Sequence, residues 1–167
     1  MKTTALVVAA FAFGASYVGS NNPIAVTSAC HCPHPDSVAV DSVAMILAPR
    51  ARDTAAVRPI AQLIVREART KRLDPVLVAN IVRVENPWLL ADTVSRAGAT
   101  GIMQVMPLWA GSFSCSGPLD DAGTSVCLGT AIFAAYLKDA LRAALLSYNG
   151  CTSLRCRGYA EHVTDGL

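Results

Sequence analysis

The sequence is poor in charged and aromatic residues. Charged residues make up 16% and aromatic residues 6% of its 167 residues, and the formal net charge at pH 7 is +2. A net charge this small gives no electrostatic reason to expect nucleic-acid binding, and we predict no nucleic-acid partner. A Gly-rich phosphate loop and a Ser/His/Asp arrangement are also missing, so the sequence indicates neither a phosphate-binding loop nor a serine triad.

Alternating strand patterns, internal repeats and low-complexity tracts are absent too. The apolar residues recur at helical spacing, and hydrophobic residues reach 53%, enough for a core within one domain. Asp74 and Pro75 form a typical helix start, and Pro87 ends that helix because a residue before proline is pushed out of the helical region. We predict a mainly α, compact helical domain with short loops, with helices near residues 38–47, 54–71, 75–85, 124–137 and 139–148. We also predict a short helix within residues 102–109 that is interrupted or begins near Pro107.

The N-terminus has the features of an export signal. Lys2 precedes a mostly apolar stretch, residues 5–18, which is shorter than the about 20 residues that a membrane span needs. We assign residues 1–29 to an export signal or an uncleaved signal anchor, 30–52 to a linker or tail, and 53–167 to the folded domain. The expected location is the periplasm or cell envelope. Residues 27–30 superficially resemble a lipoprotein processing site, but they lack the large aliphatic residue that usually lies three places before the cysteine.

Six cysteines follow the apolar stretch, and cysteines in an exported chain indicate an oxidising compartment and disulfides. We favour two local pairs, Cys115–Cys127 and Cys151–Cys156, since each closes a short loop. The run 30–34 holds two cysteines and two histidines, but ligands this close together cannot readily close a tetrahedral metal site. We therefore predict no metal.

Glu85 is the most informative acidic residue. The chain has three glutamates, of which Glu67 lies between Arg66 and Arg69 on an amphipathic helix and Glu161 lies near the C-terminus. Glu85 alone follows a nearly continuous apolar run. That run forms the helix that we expect at the centre of the core. Burial raises the pKa of a carboxyl, and a general acid for glycoside cleavage must hold its proton near neutral pH. Taken alone, Glu85 would be better interpreted as a glutamate that is merely solvated at a helix end.

Three further segments accompany Glu85 in a fixed order, and together they resemble a known family. They are Leu73-Asp74-Pro75 before it, the run Gly98-Ala99-Thr100-Gly101-Ile102-Met103-Gln104-Val105-Met106-Pro107 after it, and Ser147-Tyr148-Asn149-Gly150. Residues from about 60 to 163 resemble the catalytic domain of soluble lytic transglycosylases, the goose-lysozyme-like enzymes that cut peptidoglycan. The resemblance implies a lysozyme-like fold and peptidoglycan glycan strands as the binding partner.

The resemblance also implies roles for individual residues. Glu85 matches the sole catalytic acid. Six further residues match substrate-binding positions, namely Ser95, Gly101, Met103, Gln104, Tyr148 and Asn149. Gly101 and Met103 match positions that line the sugar groove, and Met103 would equally suit a core methionine that fills a gap. The chain departs from the family at Asn86, where a serine usually follows the acid, and at Ser95, which lies one residue further from Glu85 than is common.

The mechanism that the resemblance implies is non-hydrolytic and needs no cofactor. Glu85 would protonate the oxygen between N-acetylmuramic acid and N-acetylglucosamine and then take a proton from the 6-hydroxyl, which closes a 1,6-anhydro ring. One alternative is a lysozyme-type hydrolase in which Asp92 activates water. We interpret Asp92, Asp120 and Asp121 as turn and cap residues. A second alternative is a non-catalytic glycan-binding or secretion-associated module. We expect a monomer, with a cell-envelope or secretion-apparatus partner left open.

Overall fold

The computed structural model describes residues 34–137, 140–151, 157–165 and 167. Within these ranges no β-strand forms, and only isolated bridges join Val94 to Thr100 and Thr100 to Val105. The mainly α class is therefore confirmed. The helices are α1 (Pro35–Leu47), α2 (Thr54–Thr70), α3 (Pro75–Glu85), α4 (Ala122–Tyr136), α5 (Leu141–Tyr148) and α6 (Arg157–Thr164).

Aspartates begin three of these helices by capping their free N–H groups. Asp53 accepts from the Ala55 N–H at the start of α2, and Asp74 accepts from the Val76 N–H at 2.8 Å at the start of α3. Asp121 caps α4 by accepting from the Thr124 N–H. The helix start predicted at Asp74 and Pro75 is confirmed, because an N-cap carboxylate satisfies donors that the helix leaves free.

Helix α3 lies at the centre of the packed helices. It contacts α1, α2 and α6, and its residues 77–82 are all buried. Asn80 is the polar member of that run, and its side-chain amide donates to the Val76 carbonyl at 3.0 Å. The prediction of a central, buried helix leading to Glu85 is thus confirmed.

Helix α1 corrects the prediction that residues 30–52 form a linker or tail. Its Val40, Val43 and Leu47 are buried, and the helix packs against α2 and α3. Amphipathic packing, rather than propensity, stabilises such a short helix. Residues 35–47 therefore belong to the packed domain, and only the short helix predicted within that range was anticipated correctly.

Of the short helix predicted within residues 102–109, only the part that begins at Pro107 forms. A 3₁₀ turn covers Pro107–Trp109, while Thr100 and Val105 exchange backbone hydrogen bonds of 2.9 Å in both directions. Gly101 and Gln104 lie between them with φ of +86° and +49°. This tight reversal is incompatible with a continuing helix. Helix α6 was not predicted at all.

The disulfide predicted between Cys115 and Cys127 is confirmed, with its Cα atoms 5.9 Å apart. Cys151 is disulfide-bonded as well. Its predicted partner Cys156 lies outside the described residues, and that pairing stays a prediction. The export signal at 1–29, Cys30 and Cys32 also lie outside them. Among the helices that the structure does describe, none combines the length and apolarity needed to cross a membrane.

Candidate active site

Glu85 is the last residue of α3, and its position follows from how that helix ends. Pro87 prevents continuation, and Asn86 adopts φ −142° and ψ 74°, outside the helical region. The buried body of α3 delivers the Glu85 side chain to the edge of the core. Burial raises the pKa of Glu85 above its ordinary value of 4.5, because the charged form loses hydration.

Two neutral donors hold the Glu85 carboxyl. The Tyr159 hydroxyl, on α6, donates to Glu85 Oε1 at 2.7 Å, and the Asn149 side chain donates from the end of α5. Each bond favours the charged carboxylate and lowers its pKa, but burial has the larger effect. The pKa of Tyr159 is raised by burial, by the Glu85 charge and by this hydrogen bond, so the phenol keeps its proton and stays a donor.

A cleft of about 430 Å³ opens over this carboxyl. Five of the seven predicted site residues line it, and these are Glu85, Ser95, Gln104, Tyr148 and Asn149. Ala97, Ala99, Met106 and Gly150 complete its walls. Among the described residues that line the cleft, Glu85 is the one carboxylic acid. The structure therefore brings together side chains that lie up to 64 positions apart, from Glu85 to Asn149 (149 − 85 = 64).

A tight loop shapes one wall of the cleft. The Ser95 N–H donates to the Ala99 carbonyl at 2.8 Å, and the Ala99 N–H donates back to Ser95 Oγ at 3.0 Å. The amide nitrogen of Gln104 donates to the carbonyls of Gly101 and Thr93, at 3.0 and 3.2 Å. These bonds hold the polar side chains in place before any ligand binds, which lowers the entropic cost of binding.

Gly101 and Met103 do not line the cleft as expected but lie behind it. The Met103 side chain is fully buried, its N–H donates to Ser125 Oγ at 3.0 Å, and its carbonyl accepts from the Tyr148 hydroxyl at 2.8 Å. A side chain at Gly101 would collide with the Leu119 carbonyl and with Ser125. Both residues therefore shape the site indirectly, through contacts between protein segments rather than with a ligand.

Asn86 takes the place of the usual serine and acts as a buried brace. Its side-chain nitrogen donates to the carbonyls of Leu90 and Gly101, at 2.7 and 3.2 Å, and its side-chain oxygen accepts from the Leu90 N–H at 3.3 Å. The residue is 1% exposed. Asn86 therefore ties the loop after Glu85 to the turn that carries Gln104.

Two residues of the site were missed by sequence reasoning. Tyr159 lies 74 positions from Glu85, on a helix of 8 residues with few apolar positions. Gly129, in the middle of α4, gives room to both Met103 and Tyr148: a Cβ there would lie 2.8 Å from the Tyr148 hydroxyl oxygen. A glycine inside a predicted helix was the one available signal, since it usually has a packing reason.

The other candidate carboxylates play local roles. Asp121 caps α4, and the hydrogen bonds from Thr124 lower its pKa. Asp92 and Asp120 are exposed and do not line the cleft. The interpretation of Asp121 as a cap residue is confirmed, whereas the role of Asp92 in activating water has no support from its position.

A second cavity, of about 470 Å³, lies between α1 and α2 and shares no lining residue with the cleft. Its arginines are paired with carboxylates: Arg58 with Asp41 at 2.7 Å, Arg66 with Glu67 at 3.0 Å, and Arg69 with Asp36. Because these charges are balanced within the protein, the cavity is no strong anion site. The candidate active site is the cleft over Glu85.

A helical domain in which neutral donors hold a buried glutamic acid at the base of a cleft suits general-acid cleavage of a glycosidic bond. A family model, described as the Transglycosylase SLT domain, matches residues 62–157, more than half of the chain. The chain belongs to this family. A search of curated proteins finds no match.

Family membership confirms the resemblance drawn from the sequence. It supports a glycan-cleaving lytic transglycosylase in general, with peptidoglycan as the substrate, and therefore a location outside the cytoplasm. The matched range begins within α2 and ends at the first residue of α6. Tyr159 lies two residues beyond it (159 − 157 = 2).

Proposed function

We propose that this protein cleaves the glycosidic bond between N-acetylmuramic acid and N-acetylglucosamine without water, and forms 1,6-anhydromuramic ends. The observation that carries the proposal is the Glu85 carboxyl, whose pKa is raised by burial at the base of the cleft. A raised pKa keeps more of the carboxyl protonated, and a protonated carboxyl can donate its proton to the leaving oxygen. Glu85 is thus the proposed catalytic acid.

The first step is bond cleavage. Glu85 transfers its proton to the bridging oxygen, the bond from that oxygen to C1 of the muramic sugar breaks, and the leaving sugar departs as an alcohol. The carbonyl oxygen of the muramic N-acetyl group attacks C1 from within the substrate, in place of a second protein carboxylate. This assistance agrees with a cleft in which the described lining residues include no other acid.

The second step returns the proton. Glu85, now ionised, takes the proton from the 6-hydroxyl while O6 attacks C1 and displaces the N-acetyl oxygen. Tyr159 and Asn149 both donate to Glu85, and donors of this kind favour its ionised form. Burial and hydrogen bonding therefore act in opposite directions on one carboxyl, which suits a group that must first give and then accept a proton.

The remaining cleft residues bind the sugars in this proposal. Ser95, Gln104 and Asn149 offer hydroxyl and amide groups at the cleft surface, and Tyr148 braces the turn before Gln104 through the Met103 carbonyl. Gly101 and Met103 support that turn from behind. We further propose that residues 1–29 direct export and that the packed domain is the catalytic unit.

The test is a product analysis. Purified protein is incubated with isolated peptidoglycan, and the released muropeptides are identified by mass spectrometry. We expect 1,6-anhydro ends, lighter than the hydrolysed form by one water molecule. Reducing ends would instead show a hydrolase, and intact peptidoglycan after prolonged incubation would show a non-catalytic module. Either outcome contradicts the proposal.

A further inference from the structure

A cluster of exposed apolar side chains lies directly beside the cleft. A hollow of about 50 Å³ shares Gln104, Met106 and Tyr148 with the cleft and adds Trp109 and Tyr136 to its walls. The two depressions are therefore continuous along the surface. We call the apolar cluster at this place the aromatic shelf, and it consists of the half-buried Trp109 and the exposed Met106, Leu108, Phe113 and Tyr136.

The aromatic shelf is unusually exposed for its composition. Leu108 is 72% exposed and Phe113 46%, and the rings of Trp109 and Phe113 pack with centroids 5.8 Å apart at an angle of 33°. Contact with water is energetically unfavourable for large apolar side chains that are grouped at the surface, and such groups usually mark binding sites. The aromatic shelf is therefore an apolar surface that no element among the described residues covers.

The chemistry of the aromatic shelf fits an uncharged sugar. No charged side chain lines the hollow among the described residues, so neither an anion nor a cation finds a partner there. Pyranose rings present C–H groups on their faces, and an aromatic face carries partial negative charge that attracts them. Because the shelf continues the cleft, its natural occupant is the same strand rather than a second molecule.

The aromatic shelf is also held in one shape. The Trp109 N–H donates to the Met106 carbonyl at 3.0 Å, and the Cys115 N–H donates to the Ser112 carbonyl at 3.0 Å. The disulfide from Cys115 to Cys127 fixes the end of this segment to α4. A platform that is already ordered loses little conformational entropy when a ligand binds.

We propose that the aromatic shelf binds a further sugar of the glycan strand, beyond the sugars held in the cleft, through stacking on Trp109 and Phe113. This inference rests on the proposed function, since it takes the cleft to be the glycan site. Its consequence is selectivity for length: long strands reach the shelf, whereas a disaccharide does not.

The two tryptophans of the chain make the test direct. In a Glu85→Gln background, which prevents turnover, Trp88→Phe leaves Trp109 as the one fluorophore of its kind, and Trp109→Phe leaves Trp88. The probes are β-1,4-linked N-acetylglucosamine oligomers, a hexasaccharide and a disaccharide. We expect the hexasaccharide to shift Trp109 emission to shorter wavelength and to leave Trp88 emission unchanged.

The affinity measurement uses the same background. Trp109→Ala should weaken hexasaccharide binding roughly tenfold, the loss of one stacked aromatic face, and leave disaccharide binding unchanged. Met45→Ala is the matched control, because Met45 is 70% exposed on α1 and away from the segment that forms the shelf. Leu108→Ala, a milder change at the shelf, should weaken hexasaccharide binding less, and circular dichroism checks that each variant is folded.

Several outcomes would overturn the inference. Hexasaccharide binding without a change in Trp109 emission, or equal losses for both oligomers, would remove the shelf from the glycan site. Concentration-dependent dimers in sedimentation velocity that disappear in Trp109→Ala would assign the shelf to a second copy of the chain. If the hexasaccharide binds as expected but the wild-type protein cleaves no peptidoglycan, the shelf stands and the proposed function fails.

Discussion

Two glutamates of this chain, Glu67 and Glu85, have opposite electrostatic environments. Burial alone would raise the pKa of Glu67, but the hydrogen bonds and charges of Lys71 and Arg66 outweigh it, and its pKa is lowered. Burial also raises the pKa of Glu85, and there the opposing bonds come from the neutral Tyr159 and Asn149. A partly buried carboxyl beside cations has a lowered pKa and loses its proton more readily. A buried carboxyl beside neutral donors has a raised pKa and keeps its proton more readily.

The position of a glutamate on a helix is therefore a poor guide to its pKa. The sequence favoured an ordinary surface site for Glu67, yet its side chain is only 13% exposed, with Lys71 Nζ at 2.8 Å and Arg66 Nε at 3.0 Å. No cation contributes to the raised pKa of Glu85. The sign of the nearest charge, rather than the depth of burial alone, separates an ion-paired carboxylate from a proton donor.

The largest expected effect comes from removing each acid in turn. Glu85→Gln keeps the hydrogen-bonding shape but holds no transferable proton, and it should lower peptidoglycan cleavage by roughly a hundredfold or more. Glu67→Gln, the matched control, should leave cleavage close to wild type because Glu67 does not line the cleft. Release of soluble muropeptides measures both. A folded Glu85→Gln protein with wild-type activity would remove Glu85 from the proposed mechanism.

A smaller effect is expected from the neutral donor at Glu85. Tyr159→Phe removes a bond that lowers the pKa of Glu85, so that pKa should rise further and the alkaline limb of kcat/KM should move to higher pH. Cleavage should fall roughly tenfold, because the ionised carboxylate loses a charge-assisted bond.

The control for Tyr159→Phe disturbs α6 without touching Glu85. Glu161→Gln removes the ion pair with Arg142, at 2.8 Å, that joins α5 to α6. It should leave the pH profile in place, whatever it does to stability. If the profile moves equally in both variants, Tyr159 acts only by holding α6 in position.

The smallest effect concerns how the free energy of unfolding depends on pH, and Glu67 and Glu85 should change it in opposite directions. Glu67 has a lowered pKa, so its contribution is present above pH 4.5 and is lost as the pH falls through its folded value. Glu85 has a raised pKa, so its contribution is present below pH 4.5 and is lost as the pH rises through its folded value.

Thermal unfolding of the two variants tests these signs. At neutral pH, Glu67→Gln should unfold at a lower temperature than wild type, by an amount corresponding to about 0.2–1 kcal/mol. Glu85→Gln should unfold at a higher temperature, because the wild-type carboxyl must take up a proton or lose hydration of its charge on folding, and the neutral amide does neither. Both differences should shrink toward acidic pH, where the carboxyls are protonated in the folded and unfolded states. A destabilised Glu85→Gln at neutral pH would contradict the raised pKa of Glu85.

The parts of the fold that could be predicted depend on short-range physics. The signals that predicted α2, α3, α4 and α5 closely act within one or two helical turns. They are the helical spacing of apolar residues, the aspartate caps and the proline after Asn86. The missed helix α6 has few apolar positions, and its contacts with α3 and α5 stabilise it from outside. The non-helical conformation of residues 102–106 was not predicted, because the chain reversal there depends on pairing of Thr100 with Val94 and Val105.

By itself, the sequence determined that an apolar helix ends at Glu85, and short local motifs carried the resemblance that pointed to Gln104, Tyr148 and Asn149 beside it. Tertiary structure alone decided that Tyr159 reaches Glu85 and that Met103 lies behind the cleft rather than in it. The physical reason is that contacts between distant residues arise from how helices pack. That packing depends on the shape of the whole core and not on any one segment.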